Sequence, residues 1–172
     1  MFAGRLVKSK GVEPMLEAFD KTAHHIKVAG TGPLYESLTK RFAHNERIEF
    51  CGQVDEQQLV ELFTHAAALI LPSLAPETFG LTSVEAMSCG TPAIVRDAGG
   101  AAESVRAGGA GAVFSDFSEL PALLDELVHP GNVERLAKIA LRTYHEHYTP
   151  ETHVGRYLEL IEESRVAKAC AR

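Results

Sequence analysis

The residues best able to do chemistry here lie in Pro76-Glu77-Thr78-Phe79-Gly80-Leu81-Thr82-Ser83-Val84-Glu85-Ala86-Met87. The stretch runs between an apolar segment at residues 66–71 and a helix that must end near Cys89-Gly90. It therefore reads as a strand, a loop carrying Glu77, and a helix starting at Phe79-Gly80. Glu77 and Glu85 then flank a helix N-terminus, where the first backbone N–H groups lack intrahelical partners and the dipole is positive. Such an end suits an anion or a polyhydroxylated ligand. On a continuous helix, eight residues rise about 12 Å and turn their side chains to within roughly 80° of one another. A long ligand could be held at both ends by such a pair. Taken alone, the two acids also fit a plainer description, as a solvated helix face and a loop acid that favours the dipole.

The elements that must position these residues alternate along the chain. Residues 2–7 form a short first strand, followed by Lys8-Ser9-Lys10-Gly11. From Val12, the residues Met15, Leu16, Phe19 and Ala23 recur at helical spacing, with Pro14 tolerated in the first turn. A buried strand at residues 26–29 leads directly into Gly30-Thr31-Gly32-Pro33, where Pro33 opens a helix reaching about Phe42. The third glycine of a dinucleotide fingerprint would fall at Tyr35, which argues against nicotinamide or flavin. Gly30 and Gly32 instead suit a turn whose backbone approaches a ligand or a neighbouring loop.

Residues 48–51 make the next strand, closed by Gly52-Gln53-Val54, and Asp55 caps a helix with Leu59, Leu62, Phe63 and Ala66 on its buried stripe. Strands follow at 69–71, 92–95 and 112–114, with a helix near 101–107 and another capped by Ser118 and running through Val128. Strict alternation implies a Rossmann-like, doubly wound parallel sheet of about six strands with helices on both faces. Its ligands bind beyond the carboxyl ends of strands. After Pro130 the pattern is helical only, at residues 133–148 and 151–169, with Thr149 capping the second helix. Residues 1–148 are thus expected to form the domain, and 149–172 its helical tail.

Composition narrows the function. A chain of 172 residues, 45% hydrophobic and without low-complexity tracts, is long enough for one packed α/β domain. Its net charge of −6 argues against nucleic-acid binding through a basic surface. Cys51, Cys89 and Cys170 are odd in number and widely spaced, giving neither a disulfide framework nor a zinc motif and suggesting reducing cytosol. His145 and His147 fall on different helix faces, and no Asp-x-Asp pair stands ready for a divalent ion. No leader or membrane-spanning run is visible. A first strand with almost no lead-in suggests an excised piece.

Assembled, these segments resemble the C-terminal, nucleotide-sugar-binding domain of retaining glycosyltransferases of the GT-B fold, group 1 (family 4). The matching residues are Gly4-Arg5-Leu6 with Lys10-Gly11, Gly30-x-Gly32-Pro33, Gly52 with Val54, Pro72-Ser73, Glu77-x-Phe79-Gly80-Leu81, Glu85-Ala86-Met87 with Gly90-x-Pro92, and Gly99-Gly100 with Glu103. They run in family order from Gly4 to Glu103, and so many separate motifs in order make the match highly specific. Two departures are Thr78, where the family often has a small residue, and Arg96, where it is usually neutral.

The resemblance implies a role for each matched position. Arg5 and Lys10 would grip the diphosphate of a nucleotide diphosphate sugar and stabilise the leaving nucleotide, with no metal or other cofactor. Glu85 would accept hydrogen bonds from the ribose hydroxyls. Glu77 would lie beside the transferred sugar and stabilise charge at its anomeric carbon. Amides of Phe79, Gly80 and Leu81 would hold sugar and phosphate, and Val54 would lie near the base. Gly30, Gly32, Gly99 and Gly100 are candidates for close backbone approach. The resemblance also implies an absent N-terminal Rossmann-like partner domain carrying the acceptor site, so the chain alone should bind donor weakly and transfer nothing. The intact enzyme would be cytoplasmic, with peripheral membrane contact left open. A GT-B epimerase or phosphorylase half, and a non-enzymatic nucleotide-binding module, are the competing expectations.

Overall fold

A computed structural model describes residues 1–170, with side chains described up to residue 165. In chain order the elements are β1 (Phe2–Ala3), α1 (Val12–Phe19), β2 (Ile26–Ala29), α2 (Tyr35–Arg41), β3 (Ile48–Gly52), α3 (Glu56–Thr64) and β4 (Leu69–Leu71). They continue with α4 (Leu81–Ser88), β5 (Ala93–Arg96), α5 (Gly100–Gly108), β6 (Gly111–Phe114), α6 (Leu120–Leu127), α7 (Pro130–His147) and α8 (Pro150–Cys170).

The central strands are uninterrupted apolar runs because both of their faces are covered. Leu69, Ile70, Leu71, Ala93, Ile94 and Val95 are all buried. Successive side chains point to opposite layers. Ile70 and Ile94 pack with Leu16 of α1 and Leu120 of α6, whereas Leu71 and Val95 pack with Met87 of α4 and Val105 of α5. Helix α7 borders both layers, with Leu136 in the first cluster and Ala140 in the second.

Strands β1, β2 and β3 pair in parallel, as do β4, β5 and β6. The two triplets meet where the Ile70 amide donates to the Met1 carbonyl at 2.8 Å, laying β1 beside β4. The resulting order, 3-2-1-4-5-6, is that of a doubly wound sheet whose winding reverses between β1 and β4.

The doubly wound class is as the sequence implies, and several element ends differ for local reasons. The first strand stops at Ala3, and residues 8–10 close into a single 3-10 turn ended by Gly11 at φ +67°. Helix α1 ends at Phe19, whose carbonyl accepts from the Thr22 hydroxyl at 2.8 Å. Helix α2 starts at Tyr35 with Leu34 as its N-cap, the Leu34 amide donating to the Leu6 carbonyl at 3.1 Å, and Pro33 lies in the turn before it. Ser118 caps nothing. Asp116 accepts its amide and hydroxyl and, with Glu119, forms a capping box on a 3-10 turn before α6. Helix α7 begins at Pro130, where a missing N–H is harmless, and not at Val133.

Other expected ends are present. Asp55 and Gln58 form a capping box on α3, and the Thr149 hydroxyl accepts from the Thr152 amide at 3.2 Å before α8. Val154, Tyr157, Leu158 and Ile161 of α8 stay between 41% and 61% exposed. The side chain of Cys170 lies outside the described residues.

Phe114 is 1% exposed and meets Phe117 edge to face at 5.5 Å, tying the last strand to the turn before α6. Replacing Phe114 by Ala should destabilise the domain by about 3–5 kcal/mol, read as a lowered midpoint in urea unfolding.

Candidate functional site

Where winding reverses, the loop after β1 and the loop after β4 face each other. The Ser9 carbonyl accepts from the amides of Leu74 at 2.8 Å and Ala75 at 3.2 Å, locking the two loops together. This brings Lys10 to Glu77, with Nζ 2.6 Å from Oε1. Ser73, 2% exposed, donates its hydroxyl to the same carboxylate oxygen. Burial pushes the Glu77 carboxyl up, but the hydrogen bonds from Lys10 and Ser73 outweigh it and hold the group below its ordinary value of 4.5.

The Glu77 backbone is held from the other side. Its amide donates to the Ala98 carbonyl at 2.9 Å, and its carbonyl accepts from the Gly100 amide at 2.7 Å. A Cβ on Gly99 would lie 2.4 Å from the Glu77 oxygen, at a φ of +89° that side chains rarely adopt. The close-approach glycines expected from the sequence all meet neighbouring loops in this way: Gly30 faces Gly4, Gly32 faces Leu6, Gly99 faces Glu77 and Gly100 faces Thr78.

A pocket of about 580 Å³, whose lining does not include Lys10, Ser73 or Glu77, opens at the carboxyl ends of β1, β2 and β3 and the first turns of α4. Arg5, Val54 and Glu85 all line it, together with Thr31, Gln53 and Thr82. Thr31 donates to the Gln53 side-chain carbonyl at 3.2 Å. A larger groove of about 840 Å³ runs from the amino ends of β2, β3 and β4 along β3 to Gln53 and Val54, which it shares with the smaller pocket, and carries mixed charges such as Lys27, Arg47 and Glu61. The smaller pocket has the better claim, because it lies where strands of such a sheet present their loops to ligands. Among the described residues, no cluster of three His, Cys, Asp or Glu side chains could hold a metal, and no helix is long and apolar enough to cross a membrane.

The remaining candidates sit at the start of α4, with one correction. The helix begins at Leu81 and not at Phe79-Gly80, with Gly80 as its N-cap at φ +79°, and Glu77, in the loop as the sequence implies, stands in a bridge to Gly99. The rise and rotation of a continuous helix therefore do not relate Glu77 to Glu85; loop pairing does. Phe79 is exposed yet meets Tyr148 edge to face at 5.7 Å, and Leu81 is 66% exposed. The amides of Phe79 and Gly80 donate to no backbone carbonyl among the described residues.

Sequence reasoning quoted Ser73 without a role and passed over Thr82, although Thr82 precedes Glu85 by three positions and so shares its helix face. Tyr148 carried no signal at all. Its contact with Phe79 exists only because α7 packs on α4.

The model of the family described as "Glycosyl transferases group 1" matches residues 1–143, and the chain belongs to that family. A glycosyltransferase of Methanocaldococcus jannaschii is 33% identical over 113 residues, covering 62% of this chain and 29% of that protein. D-rhamnosyltransferase WbpZ of Pseudomonas aeruginosa is 27% identical over 157 residues, covering 87% and 41%. Among solved structures, Anabaena HepE in complex with UDP superposes with a TM-score of 0.81 at 22% identity, covering 94% of this chain and 48% of that one. Sucrose-phosphate synthase of Thermosynechococcus elongatus gives 0.83 at 24% identity, covering 96% and 45%. The chain thus has the fold of one half of a GT-B glycosyltransferase and spans less than half the length of each of these proteins.

Gly99→Ala should cost about 1–3 kcal/mol of stability, measured by denaturant titration, because the left-handed conformation and the Glu77 carbonyl both oppose a side chain. A carboxyl whose folded pKa is depressed stabilises the fold above its unfolded pKa and loses that contribution as pH falls through the folded value. The wild-type chain should therefore lose more stability than Glu77→Gln when acidified below pH 4.5, a difference read from urea midpoints across pH.

Proposed function

We propose that this chain is the donor-binding half of a retaining, metal-independent glycosyltransferase that moves a sugar from a nucleotide diphosphate sugar to an acceptor hydroxyl. The observation that carries this reading is the convergence of Arg5, Val54 and Glu85 on one pocket at the reversal of strand order, with the Lys10 and Glu77 pair on the facing loops. Family membership and relatives named as D-rhamnosyltransferase and D-inositol 3-phosphate glycosyltransferase support sugar transfer. HepE structures solved with UDP, and with UDP-glucose, support a nucleotide sugar as donor.

In this reading Val54 borders the base, and Glu85 accepts from the ribose hydroxyls. Arg5 and Lys10 neutralise the diphosphate, the task a metal performs elsewhere. The free amides around Phe79, Gly80 and Leu81 receive oxygens of sugar or phosphate at the positive end of α4. When the anomeric C–O bond breaks, its electron pair leaves on the diphosphate, and Glu77 stabilises the positive charge left on the sugar. The acceptor oxygen forms the new bond from the same face, and its proton passes to the leaving phosphate. The acceptor site belongs to a second Rossmann-like domain, so residues 1–172 bind donor without transferring it. The domain comprises residues 1–148, with 149–172 as its tail, and the enzyme is cytoplasmic.

Calorimetry with UDP, GDP and ADP, using NAD as a control, tests the reading. One nucleoside diphosphate should bind, and Arg5→Ala or Glu85→Ala should each weaken it about tenfold or more, as loss of a charge-assisted hydrogen bond does. Equal affinity for NAD, or sugar transfer by the chain alone, would count against it.

A further inference from the structure

The cation proposed to meet the diphosphate is already engaged. Lys10 Nζ lies 2.6 Å from Glu77 Oε1, with the two side chains 36% and 21% exposed. A polyanion entering beside this pair would either share one ammonium with a carboxylate, leaving two anions in repulsion, or take the ammonium away. The two partners differ in how freely they can respond. Lys10 carries its charge at the end of four rotatable methylenes and is partly in solvent. Glu77 is fastened by both backbone hydrogen bonds to the loop at Ala98 and Gly100, by the crowding of Gly99, and by the hydroxyl of buried Ser73.

We infer that a nucleoside diphosphate binds here by exchange: it draws the Lys10 ammonium off the Glu77 carboxylate, while Ser73 keeps that carboxylate in place. This rests on the function proposed above and assigns Ser73 as a positioning residue. Exchange also does something useful for transfer. Before the donor arrives, the charge of Glu77 is compensated by Lys10. Afterwards it is held by a neutral hydroxyl alone, and its field is available to a cation developing on the sugar. The acid therefore gains its electrostatic strength only when the diphosphate is seated.

Calorimetry on the whole chain with UDP, GDP and ADP distinguishes exchange from simple contact. Glu77→Gln keeps a side chain that Ser73 can hold but releases Lys10, so it should bind the nucleoside diphosphate about two- to fivefold more tightly, the range for a partly exposed ion pair. With Lys10→Met already present, the same change should give a smaller gain, a coupling read from the four-variant cycle. Ser73→Ala should leave nucleoside diphosphate affinity nearly unchanged but reduce the preference for the matching nucleotide sugar, and Ser73→Thr should restore it.

Unchanged or weaker binding by Glu77→Gln overturns the inference. So does an equal gain with and without Lys10, which would mean plain repulsion between Glu77 and the ligand. A fall in diphosphate affinity for Ser73→Ala as large as that for Lys10→Met removes Ser73 from its assigned role. Absence of binding by the unaltered chain is a separate result that sinks the proposed function itself.

Discussion

Reversal of strand order between β1 and β4 is the constraint from which the site follows. Successive helices leave one side of the reversal for one layer and the other side for the opposite layer, so the loops after β1 and β4 cannot be filled in by a crossover between them. They are free to face each other, and two amides donating to the Ser9 carbonyl tie them together. A cation five residues beyond Arg5 and an acid beyond Pro72-Ser73 then meet at 2.6 Å, although 67 positions separate them in the chain.

The same region depends on places where backbone touches backbone. Glycines at positions 30, 32, 99 and 100 let four loops approach more closely than any side chain would permit. This close packing makes the rim rigid where it carries charge. The Glu77 backbone is hydrogen-bonded on both sides, whereas among the described residues the Lys10 side chain is anchored only by Glu77. An acid fixed by its backbone beside a cation on a long, partly exposed side chain is the arrangement an ion exchange requires.

Coupling reaches beyond the pocket. Phe79, in the loop before α4, meets Tyr148 at the end of α7, two residues before the chain enters α8. The tail helix therefore departs from a point in contact with the loop at the start of α4, and it carries an apolar stripe that the rest of the domain leaves exposed. Helix α7 packs on both helical layers and, through the adjoining Tyr148, on the aromatic ring of that loop.

Much of this was legible in the residues themselves, because it depends on local rules. Apolar runs of strand length between helical periodicities dictate a parallel sheet, and motif order from Gly4 to Glu103 identifies the family. Asp55 capping α3 and Thr149 capping α8 are likewise decided within a few residues. Tertiary structure decided what depends on distant partners. The Leu34 amide, at the N-cap of α2, bonds to the Leu6 carbonyl, and the loop carrying Glu77 is pinned by a bridge to Gly99. Pairing of Glu77 with Lys10, and contact of Phe79 with Tyr148, required segments more than 60 residues apart in the chain to converge, whereas Ser73 reaches Glu77 within one loop. Hydrogen-bond geometry and charge separation are set by the distance between side chains, and that distance is fixed only when the sheet closes and its layers pack.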